Sequence, residues 1–422
     1  MKILIGVSGS ISAYKALDVV RGLTKNGHEV KVIVTSGATK FVVPEVFLYL
    51  GALEVFKPED DFKYPSSYKE VDKLERNPIL HIDLARWADQ FAILPLSANT
   101  LSSLNQGSAN DLLTSVFLAT NEETPIVLYP AMNQSMLKNP LVQRNLNSLR
   151  ESLSNVYVIE PDSGLLACGE EGSGKLPDVD KIIETLPFIN IHKKRPVNKP
   201  VNKKVLITTG ATISPLDPVR FLTNSSSGLT GFYLAREALK EGLQVKVIAG
   251  KAATSKLEYL NVFPNFEVQR VVSPSEMSRA VLKSLDIYNL YISSAAIGDI
   301  EFVQDQNKIK KANIKDNLPI KQSPDILAQV LKEKPQALKT VGFAAETDLS
   351  FKVLKEKWER KPVDLLVGTK VHNGLTSESS EVSGFSNDSA YYSFMENKEV
   401  TFEGPLSKKS LAQKILQRFL RD

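Results

Sequence analysis

Cys168 is the only cysteine in the 422-residue chain, and it lies in a glycine-rich stretch, Gly164-Leu-Leu-Ala-Cys168-Gly-Glu-Glu-Gly172-Ser-Gly174. A structural cysteine usually sits in an apolar helix or strand, where its thiol acts as a small hydrophobe. Here it lies among residues that favour turns and expose backbone N–H groups. A loop of that composition can close over a ligand and carry a thiol into chemistry. His81 is one of only four histidines and opens a run, His81–Asp89, with a helical pattern. A histidine is a poor helix N-cap and is disfavoured there when charged. Four turns of small polar residues also stand out: Ser8-Gly9-Ser10-Ile11, Thr35-Ser36, Ser97-Ala-Asn99-Thr100 and Pro130-Ala-Met132-Asn133. Any one of them can cap a helix without a ligand. Four of them, each after a candidate strand, point to a nucleotide pocket, and the first offers N–H groups and hydroxyls to a phosphate. It lacks the full G-x-G-x-x-G spacing, which favours a mononucleotide over a dinucleotide.

The second half carries a different set. Asp217-Pro-Val-Arg220 leads into Asn224-Ser-Ser-Ser-Gly228 and an apolar helical run. An arginine and a helix N-terminus suit phosphate or carboxylate recognition. Ser294-Ala295-Ala296-Ile-Gly-Asp299, Lys308-Ile-Lys310-Lys311, Pro324-Asp325-Ile326-Leu327 and Gly342-Phe343-Ala-Ala-Glu346 follow. The lysine run reads alone as a solvated charge run; lying between an aspartate after a strand and a Pro-Asp helix start, it has as its alternative a triphosphate clamp.

These residues need elements to hold them. Lys2–Val7 and Val205–Thr209 are short apolar runs, each followed by a small-residue turn. Strand, turn and helix is the opening of a doubly wound α/β sheet. Further strands are expected at 30–35, 91–95, 126–129 and 156–159, then at 245–249, 266–271, 290–294, 340–344 and 365–368. Tyr391–Met395 and Val400–Phe402 read as a β-hairpin, and Lys408–Leu420 as an amphipathic helix. The basic, proline-containing stretch 191–204 reads as a linker, giving domains at 1–190 and 205–422. A single cysteine excludes an intramolecular disulfide framework and a multi-cysteine metal site, and fits a reducing cytoplasm. No run approaches the roughly 20 apolar residues of a membrane span. A net charge of +4, much of it in the linker, gives no case for nucleic acid.

Ser8–Ile11, His81, Ser97–Thr100, Ala109-Asn-Asp-Leu112, Pro130-Ala-Met-Asn133 and Gly164–Gly174, in this order, resemble the flavin-dependent cysteine decarboxylases, specifically the phosphopantothenoylcysteine decarboxylases. The resemblance covers nearly all of residues 1–186. It implies a flavodoxin-like domain with FMN held by Ser8, Gly9, Ser10, Ile11, Thr35, Ser97, Asn99 and Thr100. It implies oxidation of the substrate's cysteine moiety to a thioaldehyde, so that loss of CO2 leaves a delocalised enethiolate. Asn133 then holds the substrate carboxylate, His81 assists oxidative decarboxylation, and Cys168 returns a proton, a role that suits a thiol's near-neutral pKa.

Residues 205–422 resemble the phosphopantothenate–cysteine ligases through D-P-V-R-F, the N-S-S-S-G run, K-I-K-K, P-D-I-L and V-G-F-A-A-E-T. This implies a Rossmann-like domain ending in the β-hairpin. It further implies activation of the 4′-phosphopantothenate carboxylate by CTP as an acyl-cytidylate, with Mg²⁺ on the triphosphate and CMP displaced by the amine of cysteine. Asn224 serves the cytidylate step with Arg220 nearby. Ala295, Ala296, Asp299, Lys308, Pro324, Asp325, Ile326, Leu327, Phe343, Lys357 and Lys361 serve substrate and nucleotide. The chain departs from that family at Gly210-Ala211-Thr212, at Gly298 and Ile300, and at Gly368-Thr-Lys370. The two families in this order resemble the bifunctional bacterial coenzyme A biosynthesis proteins. Their relatives form trimeric flavoprotein and dimeric ligase contacts, which implies a homo-oligomer. Two other readings attach to the first half alone: a decarboxylase of peptidyl C-terminal cysteine, and a non-catalytic flavoprotein regulatory subunit. The ligase-like half argues against the first, and the joint presence of His81, Asn133 and Cys168 against the second.

Overall fold

The computed structural model describes residues 1–62, 79–165, 169–194, 203–310, 318–371 and 389–420. Contacts divide the chain into two compact units, Met1–Pro196 and Val197–Asp422.

The first unit is built on six parallel strands: β1 (Lys2–Val7), β2 (Glu29–Val34), β3 (Glu54–Phe56), β4 (Gln90–Leu96), β5 (Ile126–Pro130) and β6 (Val156–Val158). Their order is β3-β2-β1-β4-β5-β6. Without the three-residue edge strand β3, this is the flavodoxin order. Every residue of β4 is buried, and every residue of β1 after Lys2. Such continuous apolar runs belong to strands covered on both faces. The covering helices are α1 (Lys15–Lys25), α2 (Val46–Tyr49), α3 (Leu80–Trp87), α4 (Ala98–Asn105), α5 (Leu112–Ala119), α6 (Gln134–Leu137), α7 (Pro140–Ser152) and α8 (Val179–Lys194). In α1, Ala16, Val19, Val20 and Leu23 recur at helical spacing and are the buried face. Local signals set the starts: Ser97 caps α4, Asp111 and Thr114 form a capping box on α5, and Asn139-Pro140 opens α7. The first four residues of the expected linker continue α8, and 195–202 lie outside the described residues.

One expectation is corrected here. The glycine-rich stretch is not simply a loop: β7 (Asp162–Leu165) and β8 (Glu171–Lys175) pair antiparallel, with Gly164 opposite Gly172. Gly174 takes φ +126° there, a backbone conformation that glycine allows. Leu166, Ala167 and Cys168 lie outside the described residues.

The second unit has an eight-stranded sheet in the order β13-β12-β9-β14-β17-β18-β19-β20. Its strands are β9 (Lys204–Thr209), β12 (Gln244–Gly250), β13 (Phe266–Val271), β14 (Leu290–Ser293), β17 (Lys339–Glu346), β18 (Leu365–Lys370), β19 (Ser389–Glu396) and β20 (Glu399–Ser407). The first six are parallel in the Rossmann order. The last two form the expected antiparallel hairpin. It turns at Asn397-Lys398, both with positive φ, the geometry that matches the strands' right-handed twist. Helices α9 (Leu229–Lys240), α10 (Pro274–Leu282), α11 (Ile326–Glu333), α12 (Phe351–Arg360) and α13 (Lys408–Leu420) cover the sheet. Two small ribbons stand apart from it: β10 (Ile213–Pro215) with β11 (Phe221–Thr223), and β15 (Ile300–Phe302) with β16 (Ile320–Gln322). None of these four strands is among those expected from the sequence. Ser214 Oγ joins the ribbons by accepting from Phe302 N at 2.7 Å.

Candidate functional site

In each sheet the strand order reverses beside the first strand. β2 and β4 flank β1, and β12 and β14 flank β9. Connections leaving these strands diverge, so a crevice opens beyond their carboxyl ends.

In the first unit, Ser8 forms the crevice floor. Its buried hydroxyl donates to Pro95 O at 2.7 Å and accepts from Ser97 N at 2.8 Å, tying the turn after β1 to the turn after β4. Gly9 lets the turns after β1 and β2 touch, because a Cβ there would sit 2.9 Å from Gly37 Cα. Buried Thr35 accepts from Ala38 N, and buried Thr100 accepts from the hydroxyl of Ser97. Asn99 is exposed in the first turn of α4. Ser10 accepts from Ser12 N and donates to Ala131 O at 3.3 Å, which joins the first turn to the turn bearing Asn133. Ser8, Thr35 and Thr100 therefore hold the framework together. Ser10 and Ile11 line an open cleft of about 420 Å³ with Met132, Asn133, Leu165 and Gly174.

Asn133 is presented by two contacts. Its Oδ1 caps α6 by accepting from Ser135 N at 2.8 Å, and its Nδ2 donates to Glu170 Oε2 at 3.4 Å. The ribbon sits close because Met132 N donates to Gly174 O at 3.1 Å. A side chain at Gly172 would collide with Gln134, and one at Gly174 with the Met132 carbonyl. This Gly-Ser-Gly run thus seats the Cys168-bearing ribbon on the Asn133 turn.

His81 lies in the first turn of α3. This helix leads back into β4, so that turn lies at the carboxyl edge of the sheet. His81 is not among the residues lining the cleft. Its Nδ1 is 3.1 Å from Oδ1 of Asp61, whose side chain is only 7% exposed. An ionised carboxylate only accepts, so Nδ1 is the nitrogen that carries a proton towards Asp61, and in the neutral ring the lone pair is on Nε2. Sequence reading missed Asp61, because nothing in the chain distinguishes it from neighbouring Glu59 and Asp60.

In the second unit the crevice between β9 and β14 holds a pocket of about 120 Å³. Ser226–Thr230 line it from the start of α9, Ser294–Ala296 from the end of β14, and Phe343–Ala345 from β17. Gly228 caps α9 with φ +73°, which turns the chain into the helix without a Cβ penalty. The free N–H groups of the first turn suit an anion. Thr209 at the end of β9 and Thr369, Tyr392 and Lys408 complete the lining, and Lys408 is only 2% exposed. Tyr392 and Lys408 escaped sequence reading as pocket residues, because the C-terminal hairpin and helix are brought to the pocket only by the sheet order.

Ala295, Ala296 and Phe343 thus share this pocket. Other expected residues are grouped beside different elements. Asp299 O accepts from Ser323 N at 3.0 Å, drawing the Pro324–Leu327 turn to Asp299. Asp325 caps α11 and pairs with Lys361 Nζ at 2.7 Å, while Lys357 pairs with Glu346. Asn224 and Lys308 are exposed and do not line the pocket. Arg220 is bound to Asp217: its Nε and Nη2 donate to Asp217 Oδ2, at 3.0 and 2.5 Å.

Residues 1–187 match the flavoprotein family, and residues 201–421 match the DNA/pantothenate metabolism flavoprotein C-terminal domain. The coenzyme A biosynthesis bifunctional protein CoaBC of Escherichia coli K12 is 34% identical over 420 residues, covering 98% of this chain and 95% of that protein. The chain belongs to the CoaBC family. The CoaBC protein of Haemophilus influenzae is 34% identical, with 90% of this chain and 89% of the relative covered. That of Bacillus subtilis is 36% identical, with 87% and 86% covered. This CoaBC-family chain is therefore a bifunctional enzyme of coenzyme A biosynthesis, with a flavoprotein decarboxylase unit followed by a ligase unit. Among solved structures, a PPC decarboxylase complexed with pantothenoylaminoethenethiol is 32% identical, with a TM-score of 0.37, over 44% of this chain and 96% of that one. The C-terminal domain of a CoaBC protein is 25% identical, with a TM-score of 0.41, over 51% and 93%.

Proposed function

We propose that the second unit uses CTP to join 4′-phosphopantothenate to cysteine, and that the first decarboxylates the product to 4′-phosphopantetheine with FMN. The observation that carries this reading is the pair of switch-point crevices on one family-assigned chain. One is an apolar-mouthed cleft that presents a carboxamide, and the other is a pocket at a helix N-terminus containing a buried lysine.

Ligation has to solve a problem of reactivity. A carboxylate anion repels an amine and has no leaving group. Its oxygen attacks the α-phosphorus of CTP, pyrophosphate departs, and the amine of cysteine then displaces CMP from the acyl-cytidylate. Asn224 and Arg220 serve the acyl transfer, with Ala295 and Ala296 against the acyl chain. Asp299, Lys308, Pro324–Leu327, Phe343, Lys357 and Lys361 receive the nucleotide, and Lys308 offsets phosphate charge as it develops. Mg²⁺ travels with the triphosphate and needs few protein ligands. Among the described residues no group of three or more His, Cys, Asp or Glu side chains gathers to hold a metal.

The first unit's residues fit FMN. Gly9 and Gly37 leave space only for backbone between their turns, and Ile11 and Leu165 are 55% and 68% exposed at the cleft. FMN, when bound, supplies a reversible two-electron sink. The remaining work is done by the protein. Asn133 Nδ2 holds the substrate carboxylate, with its Oδ1 fixed by Ser135. His81, oriented by Asp61, offers Nε2 as a base during decarboxylation. Cys168 returns a proton to the enethiol carbon.

No helix among the described residues is long and apolar enough to cross a membrane. Exposed apolar side chains support a homo-oligomeric reading. Phe41, Val43, Leu48 and Tyr49 are open in the first unit, and Val219, Phe221, Leu222 and Ile320 on the ribbons of the second. The deciding assay supplies 4′-phosphopantothenate, cysteine, Mg²⁺, FMN and either CTP or ATP, with mass spectrometry of the products. The expected product is 4′-phosphopantetheine, with CTP preferred. No consumption of phosphopantothenate would overturn the ligase reading. Accumulation of phosphopantothenoylcysteine would overturn the decarboxylase reading.

A further inference from the structure

Asp217 accepts five hydrogen bonds. Its Oδ1 takes Val219 N at 2.9 Å and Arg220 N at 2.8 Å. Its Oδ2 takes Arg220 Nε, Arg220 Nη2 and Ile309 N, the last at 3.2 Å. The carboxylate is fully buried as a side chain. Arg220 Nη2 also donates to Ile309 O at 2.9 Å. Both main-chain groups of Ile309 are therefore held by one Asp–Arg pair. Leu216 O accepts from Asp305 N at 2.9 Å and anchors the same segment upstream. Ile309 is half-buried and its neighbours Lys308 and Lys310 are exposed. In an extended segment, side chains alternate, so fixing Ile309 inward directs both lysines outward. The same pair closes the turn that leads through β11 to Asn224.

We propose that Asp217 is a positioning residue for ligation: with Arg220 it locks the Lys308–Lys310 segment to the turn preceding Asn224. The lysines that face the nucleotide phosphates and the amide that serves acyl transfer are thereby held in one fixed register. The carboxylate is required because all five partners are donors, and an amide at 217 would turn an N–H₂ group towards N–H groups. This rests on the reading that Lys308 serves the nucleotide, and the tests separate the two.

The full-length enzyme is compared with its Asp217→Asn, Arg220→Lys and Lys308→Gln variants. Asp217→Asn is expected to lower kcat for ligation by about tenfold to a hundredfold, the cost of roughly 1 Å of misplacement. KM for cysteine is expected to stay unchanged, as is decarboxylation of supplied phosphopantothenoylcysteine. Brief trypsin treatment, read by mass spectrometry, is expected to cut faster after Lys308 and Lys310 in this variant. Arg220→Lys keeps the charge but replaces the planar fork by a single nitrogen, so it is expected to give the same pattern more weakly; because Arg220 also serves acyl transfer, the faster cleavage after Lys308 and Lys310 is its deciding readout if Asp217→Asn does not fold. Unchanged ligation in Asp217→Asn or Arg220→Lys, alongside loss of ligation in Lys308→Gln, overturns the proposal while the reading of Lys308 stands. Unchanged ligation in Lys308→Gln overturns that reading and this role with it. Faster cleavage would then still establish the clamp as a fold device only.

Discussion

A carboxylate 3.1 Å from Nδ1 of His81 determines which ring nitrogen is free, and that makes Asp61 a matter of turnover. Asp61→Asn allows the other tautomer, so kcat for decarboxylation is expected to fall by at least about tenfold, as orienting carboxylates do elsewhere, with little change in KM. Steady-state decarboxylation of supplied substrate checks this. Lys408, buried in the lining of the second pocket, makes a prediction about binding. Lys408→Met is expected to raise KM for CTP, and Lys408→Arg to recover part of the affinity, as initial rates over a CTP titration would record. Asp217 gives the pH dependence. The Arg220 guanidinium, against some cost of burial and with the help of backbone N–H groups, holds its carboxyl well below the usual carboxylate range. The folded value lies below the unfolded one, so its stabilisation is complete above the unfolded value of about 4. It is lost as the pH falls from there through the folded value. The difference in melting temperature between wild type and Asp217→Asn, measured from pH 6 down to pH 2, is expected to hold down to about pH 4 and to narrow steadily below it.

At the scale of elements, the ribbon β7–β8 depends on two glycines pressed against the Met132–Gln134 turn. Gly174→Val places a side chain where the Met132 carbonyl lies and also strains a backbone with φ +126°. The ribbon should lift from Asn133, so decarboxylation is expected to fall strongly while ligation, on a separate unit, persists. Parallel product analysis from each supplied substrate measures both. The same ribbon marks how far the sequence could be read. Buried strands such as β4 and β14 are legible as continuous apolar runs, and α13 from its amphipathic period. The ribbon and the pairs β10–β11 and β15–β16 are not. Their residues are short, polar or glycine-rich, and only partners distant in sequence make them strands. Candidate residues such as Asn133 and His81 stand out by type and motif. Asp61, Asp217 and Lys408 acquire meaning only from a neighbour that folding supplies.

At the scale of the whole molecule, the doubly wound order of both sheets follows from the repeated opening of strand, small turn and helix at residue 2 and again at 205. The C-terminal hairpin of the second unit is where local and distant signals meet. Asn397-Lys398 fixes the turn, and the sheet carries Tyr392 and Lys408 to the pocket. The division into Met1–Pro196 and Val197–Asp422, each with its own sheet and crevice, has a practical consequence. The chain's only thiol belongs to the first unit, so an alkylating reagent addresses one half of the protein and has no thiol to attack in the other. Enzyme pretreated with iodoacetamide and freed of excess reagent before cysteine is added is expected to stop midway, with phosphopantothenoylcysteine building up at an undiminished rate of ligation, as chromatography of the reaction would record. A two-step catalyst then becomes, through a single covalent label and with no change to its gene, a means of preparing its own intermediate.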